Sequence, residues 1–400
     1  MSADELLRVE GAGARRGGLS GVRVLDLSRL VAGNMATHVL ADHGADVIKI
    51  EAPGRGDDLR RWRVGGVEVF WKVFARNKRS VELDFRSGEG RELFLELVGD
   101  AQVVVENFVP GKMEGWNLGP DTLLARNPSL IVLRVSGWGQ SGPMARSPGF
   151  GTLVEARSGW AYMNGPADRP PTLPPLALAD MIAGLYGASA VQTALRQVEV
   201  AGGAGQVVDL SLLEPILSIL GAEAAQFGLT GTPTERSGNQ SSHAAPRNVY
   251  AASDGGFVAL SGSMQAMAER IFRAIERPEL IDDARFTDND ARVAHRDELD
   301  AIIGGWIGGR TRDEALARFD ELGVTAGPLG AIGDLFADPH VRERGSLVRL
   351  ADASLGSVAM HGVVARLSRT PGAIAAPAPR LGEHSDEILA PYRARREDRS

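Results

Sequence analysis

Short apolar runs alternate with amphipathic stretches through the first half of the chain. Val22–Leu27 (VRVLDL), bounded by Gly21 and Ser28, has the length and branched side chains of a buried strand. Met35–His43 carries helical spacing and stops at Gly44, and Asp46–Glu51 (DVIKIE) is the next strand. Strand, helix, strand predicts the start of a parallel sheet with right-handed crossovers. The pattern returns as a helix over Gly88–Val98, strands over Gln102–Glu106 and Leu130–Val135, and a long helix over Ala179–Val198. A strand over Gln206–Leu210 and a helix over Leu212–Phe227 follow. The polar, turn-rich stretch Thr230–Asn248 then interrupts it. Beyond lie a strand at Phe257–Ser261, helices at Met264–Ile275 and Arg310–Leu322, and a short helix at Ser385–Leu389 after the proline-containing Ile374–Leu381. This is an α/β pattern followed by a shorter, more helical block.

Composition narrows the picture. At 400 residues the chain exceeds one average domain. A net charge of −7 argues against a nucleic-acid or anionic-membrane partner. The absence of cysteine excludes disulfides, thiolate zinc sites, iron–sulfur clusters and a cysteine nucleophile, and suits a cytoplasmic protein. The first residues hold no signal-peptide apolar run, and Gly11–Gly18 (GAGARRGG) reads as a flexible tail. The most apolar long segment, Met181–Leu195, is shorter than the roughly 18 residues a membrane span needs.

Several familiar devices are missing. The turn Ser28–Asn34 (SRLVAGN) has one glycine, which excludes the dinucleotide-binding fingerprint. There is no phosphate-binding loop, no H-E-x-x-H and no G-x-S-x-G elbow. Neither a metal nor a resident cofactor is expected. Three stretches hold candidate chemistry. Arg76–Ser80 (RNKRS) reads either as a solvated turn or as an anion site for a phosphate-bearing ligand. Ser136–Pro143 (SGWGQSGP) is an ordinary glycine-rich turn or a loop that lets backbone approach a ligand. Asp180, in LALADMIAG, is a helix N-cap or a carboxylate nucleophile in a dry site. Gly184 and Gly187 would let a backbone or a ligand lie close to that helix.

Together these stretches carry a resemblance. Gly21–Leu27, Ala32–Gly33 and Gly44–Glu51 resemble the opening of the class III CoA-transferases, the CaiB–BaiF family. Asn77–Ser80 with Leu83-Asp84, Val105–Phe108 with Pro110-Gly111, Ser136–Pro143, Asp180 in ADMIAG, Gly205–Leu210, Arg247–Val249 and Leu381–Ser385 continue it in order. The resemblance implies transfer of coenzyme A from an acyl-CoA to a free carboxylic acid, with CoA as substrate. It implies that Asp180 attacks the thioester and passes through a mixed anhydride and an aspartyl-CoA thioester. It assigns CoA contacts to Ala32, Lys78, Leu83, Arg86, Asn107 and Phe108. Phe150, Glu155 and His243 fall where a substrate pocket is expected. Ala52 and Gly115 depart from arginines of a well-studied branch; Arg55 or Arg60, and Lys112, could replace them.

The implied fold is an interlocked homodimer of open rings. Each chain has a Rossmann-like large domain (residues 20–228), a linker and small α+β domain (229–330) and a second linker with a C-terminal return (331–400), after a tail at 1–19. An α-methylacyl-CoA racemase of the same fold would need a proton-moving pair where Gly149-Phe150-Gly151 stands. A CoA-binding protein without activity would not need Asp180. Short dicarboxylates such as succinate, mesaconate, citramalate, malate and glutarate fit the expected acids, with Arg247 among the arginines able to pair a second carboxylate.

Overall fold

The computed structural model describes residues 8–10 and 17–398. The flexible tail expected at 1–19 lies mostly outside them. Within it, β1 (Arg8–Glu10) is a strand parallel to one at Leu347–Asp352.

The chain divides into two compact units. The first comprises 1–158, 174–221 and 336–400, and the second 159–173 and 222–335. Residues 159–173, read from sequence as part of the large domain, go with the second unit. Tyr162 Oη donates to Glu235, and Gly238 N–H donates to the Gly165 carbonyl.

The first unit is built on a parallel sheet of β2 (Arg23–Asp26), β3 (Asp46–Glu51), β4 (Lys78–Glu82), β5 (Val103–Glu106), β6 (Ile131–Ser136) and β7 (Gln206–Ser211). Their spatial order is β4-β3-β2-β5-β6-β7. Period-two alternation sends side chains to both faces. Val24, Val47, Val103 and Ile131 pack with the helices Ala32–Asp42 and Leu178–Ala201. Leu25, Ile48, Val104 and Val132 pack with the helix Gly88–Gly99 and with Ile388, Leu389 and Tyr392 of the C-terminal helix. Burial on both faces explains why β2, β3, β5 and β6 are largely apolar runs.

Strand β4 corrects the sequence reading of Arg76–Ser80. Arg76, Asn77 and Lys78 are buried, not solvated. The Arg76 guanidinium forks onto the Asp42 carboxylate at 2.5 and 3.1 Å. Lys78 Nζ lies 3.1 Å from Asp26, 2.9 Å from Asn34 Oδ1 and 2.7 Å from Thr37 Oγ1. Lys49 joins this network, 3.1 Å from Asp26 and 3.0 Å from Asp57. These cations hold strand ends together inside the fold.

Two helices also differ from expectation. The single helix read over Leu212–Phe227 is two, Leu213–Ile219 and Glu223–Thr230, broken where Gly221 takes a left-handed φ of +65°. The short helix read at Ser385–Leu389 runs through Pro391 to Glu397.

The second unit has an antiparallel sheet of β8 (Arg247–Ala251), β9 (Phe257–Ser261) and β10 (Ala326–Pro328), with β9 central. Helices including Gln265–Ala274, Arg296–Gly308 and Arg312–Glu321 share its core. In the first unit, β11 (Leu347–Asp352) and β12 (Gly356–His361) form a hairpin. No helix among the described residues is long and apolar enough to cross a membrane.

Candidate functional site

The order of the parallel strands reverses at β2, and open α/β sheets bind ligands beyond the carboxyl ends of strands at such a point. Two cavities of the first unit lie there. The larger, about 520 Å3, is lined by residues following β2, β3 and β4 together with Phe108, Val109, Lys112 and Trp116. The smaller, about 300 Å3, holds Ala32, Asn107, Ser136, Phe150 and Asp180. Arg29, Phe108 and Val109 line both, so the two adjoin.

Their seam is fixed by one side chain. Asn107 accepts from the Arg29 N–H at 2.8 Å and donates to the Arg29 carbonyl at 2.7 Å, tying the turn after β2 to the turn after β5. The Arg29 guanidinium lies 5.3 Å from the centre of the Phe108 ring.

Asp180 lies in the first turn of the helix Leu178–Ala201 and is not its N-cap; Ala177 holds that position without a side-chain cap. The orphan amide at the helix start is instead met by a neighbouring helix, where Glu155 Oε1 accepts from Ala179 N–H at 3.0 Å. Burial pushes the Asp180 carboxyl up to about 6. The nearby Glu155 charge adds to the rise, and hydrogen bonds from the Asp180 and Ala32 backbones oppose it. Gly151 makes room for the carboxylate: a Cβ there would stand 2.2 Å from Asp180 Oδ2. Gly184 serves packing, not ligand, since a Cβ would stand 2.5 Å from Met35 Cβ and 2.8 Å from the Ala32 carbonyl. The Ser136 hydroxyl is buried and has no hydrogen-bond partner among the described residues.

The structure brings most of the expected residues together. Ala32, Asn107, Phe108, Phe150 and Asp180 share the smaller cavity, with Phe150 65% exposed. Leu83, Arg86 and Phe108 line the larger. The Arg86 side chain is 82% exposed and pairs with Asp84 at 2.9 Å. Glu155 is buried behind Asp180 and lines neither cavity. Lys78 also lines neither; its ammonium is used inside the fold. His243 belongs to the second unit, where its carbonyl accepts from Asn289 Nδ2. Arg247 lines a separate cavity of that unit. Of the replacements considered for missing CoA arginines, Arg55 and Lys112 line the larger cavity, with Lys112 Nζ 4.8 Å from the Trp116 ring centre. Arg60 is bound to Glu51 and stacked 3.6 Å from the Trp71 ring.

Two lining arginines escaped the sequence reading. Arg29 directly follows Ser28 at the end of the first apolar strand. Arg146 stands three residues past the glycine-rich loop, whose reading stopped at Pro143. The available signal was position directly after a strand for Arg29 and nearness to the glycine-rich loop for Arg146.

Comparisons with known proteins fit this geometry. The model of CoA-transferase family III matches residues 19–385. Succinyl-CoA–D-citramalate CoA-transferase of Chloroflexus aurantiacus is 40% identical over 374 residues, covering 93% of each chain. The alpha subunit of succinyl-CoA–L-malate CoA-transferase from that organism is 40% identical, covering 97% of this chain and 91% of its own. Human succinyl-CoA:glutarate CoA-transferase is 32% identical, covering 93% and 85%. Among solved structures, a CaiB/BaiF family protein from Brucella suis superposes with a TM-score of 0.82 at 33% identity, covering 94% of this chain and 99% of that one.

Proposed function

The chain belongs to CoA-transferase family III, and from that membership we propose that it moves CoA from succinyl-CoA to a short dicarboxylic acid through Asp180. That it is a CoA-transferase follows from the family and its relatives. The choice of acids rests on relatives named for succinyl-CoA with citramalate, malate or glutarate. The mechanism rests on one observation: a carboxylate pushed up to about 6 stands in a small cavity that adjoins a larger one.

In this reading the larger cavity takes the nucleotide end of CoA near Leu83, Arg86 and Lys112. The thioester arm passes Phe108 to reach Asp180. The Asp180 carboxylate attacks the thioester carbonyl, the C–S bond breaks, and CoA thiolate leaves behind a mixed anhydride. The thiolate attacks the aspartyl carbonyl carbon, releases succinate and forms an aspartyl-CoA thioester. The acceptor carboxylate attacks that thioester and expels the thiolate, giving a second anhydride. Thiolate attack on the acceptor carbonyl then yields the new acyl-CoA and restores Asp180. Each step exchanges one activated acyl for another, so the cycle needs no ATP. Water must be kept from the anhydrides, which the half-buried position of Asp180 in the smaller cavity favours. A carboxyl raised to about 6 is more basic than an ordinary carboxylate yet mostly ionised at neutral pH. We further propose that the enzyme works in the cytoplasm as an interlocked homodimer, as the family resemblance implies.

The test uses an acceptor labelled with 18O in its carboxylate. The scheme leaves one acceptor oxygen on the Asp180 side chain, which mass spectrometry of the digested protein reads directly. Asp180→Asn should abolish formation of new acyl-CoA while free CoA still binds. Turnover without label on Asp180, or near-normal turnover in the variant, would remove Asp180 as nucleophile.

A further inference from the structure

We infer that Arg146 recognises the far carboxylate of the acyl group, so that one guanidinium selects dicarboxylates in both halves of the reaction. The inference rests on the dicarboxylate reading above and names the residue that would enforce it.

Charge sets the requirement. A dicarboxylate entering the smaller cavity brings one carboxylate to react at Asp180 and a second that must also leave water. Asp180 is itself anionic, and Glu155 lies close enough to raise its pKa. A second carboxylate there meets like charge unless a cation answers it. The residues lining this cavity include two cations, Arg29 and Arg146. Arg29 is already engaged. Its guanidinium lies over Phe108, its Nη1 is 3.9 Å from Asp58 Oδ2, and it also lines the larger cavity.

Arg146 is different. Among the described residues it makes no hydrogen bond, ion pair or ring contact. Three arginines of the same unit show the contrast: Arg134 is committed to Glu106 and Glu114, Arg76 to Asp42 and Arg60 to Glu51. The backbone on either side of Arg146 is nevertheless held. Ala145 N–H donates to Gly142, Ser147 N–H to Met144, and Trp138 Nε1 to the Pro148 carbonyl. Gly137 packs on Gly149 so closely that a Cβ would stand 2.5 Å from its Cα. A fixed loop therefore places an exposed, uncommitted arginine on the lining of the cavity that holds the reacting carboxylate. The planar fork suits bidentate capture of a carboxylate. At about 300 Å3 the cavity sits at the small end of ligand sites, as a four- or five-carbon acid requires.

The experiment compares glutarate with valerate, which has the same chain length and one carboxylate, in the full-length enzyme with succinyl-CoA as donor. In a ping-pong reaction kcat/KM for the acceptor does not depend on the donor half-reaction. Arg146→Gln should lower kcat/KM for glutarate about 10- to 100-fold, mainly through KM, and leave that for valerate nearly unchanged. It should lower kcat/KM for succinyl-CoA similarly, while the Kd for free CoA stays within about twofold. Arg146→Lys should recover part of the loss. Equal losses for both acceptors, or none for glutarate, would overturn the assignment. A wild-type enzyme that makes valeryl-CoA as readily as glutaryl-CoA would overturn the dicarboxylate reading itself, before any variant is considered.

Discussion

Asp180, half-buried, and Glu155, buried beside it, divide the work of a carboxylate pair. Glu155 holds the Ala179 amide and, by its charge, helps keep the neighbouring Asp180 carboxyl high, after burial itself. The nucleophile is the ionised form, so kcat/KM for the donor should fall as pH drops through about 6. Glu155→Gln keeps an oxygen for Ala179 but removes the like charge. The acid limb should then move to lower pH, with a modest loss of rate on the plateau because a weaker base is a weaker nucleophile. A pH profile whose acid limb does not move would leave burial as the whole cause. The N-cap reading of Asp180 failed for a reason sequence does not carry: the cap comes from Glu155, 24 positions away on another helix.

At the level of elements, strands β2, β3, β5 and β6 were legible because they are buried on both faces and read as apolar runs. Asp46–Glu51 falls on its expected residues, as does Phe257–Ser261 of the antiparallel sheet, whose buried positions alternate. Strand β4 was not legible. Its sequence is that of a solvated turn unless one knows that Lys78 meets Asp26 and Arg76 meets Asp42 inside the fold. Periodicity reports where apolar groups recur and is silent on which charges neutralise one another across strands. Burial alone would raise the Asp26 carboxyl, but Lys49, Lys78 and the Ser28 and Thr37 hydroxyls hold it below its ordinary value. Its stabilising share is therefore full above pH about 4 and lost only as pH falls toward that lowered value. Asp26→Asn would leave Lys78 without its carboxylate and Lys49 with one fewer. We expect a loss of roughly 3–5 kcal/mol, measurable by urea unfolding at pH 7. A loss under about 1 kcal/mol would mean that the network relaxes or admits water.

Across the whole molecule, the candidate site was legible as a set of turns after strands, and the family resemblance implied a C-terminal return, but the side chains that fasten that return were not legible. The C-terminal segment returns to the first unit over a long sequence distance. Asn77 bonds Ala373, Ala375 and Ala376, Trp71 Nε1 donates to the Pro379 carbonyl, and Ser80 Oγ accepts from Gly382. Tyr392 is buried on the sheet and donates to Asp100 at 3.0 Å. Tyr392→Ala should cost roughly 3–4 kcal/mol in thermal or denaturant unfolding of the first unit, and a change below about 1 kcal/mol would show the helix to be dispensable. The same return has a consequence for biosynthesis. The chain passes between units at 158/159, 173/174, 221/222 and 335/336, so the first unit stays interrupted until the residues past 335 have been made. At about 5–20 residues per second, the ribosome leaves the sheet face later covered by Ile388, Leu389 and Tyr392 open for tens of seconds. During that interval the nascent chain carries an apolar patch on this face, beside the helix Gly88–Gly99, that its C-terminal helix has yet to cover, and this is the form in which chaperones would meet it.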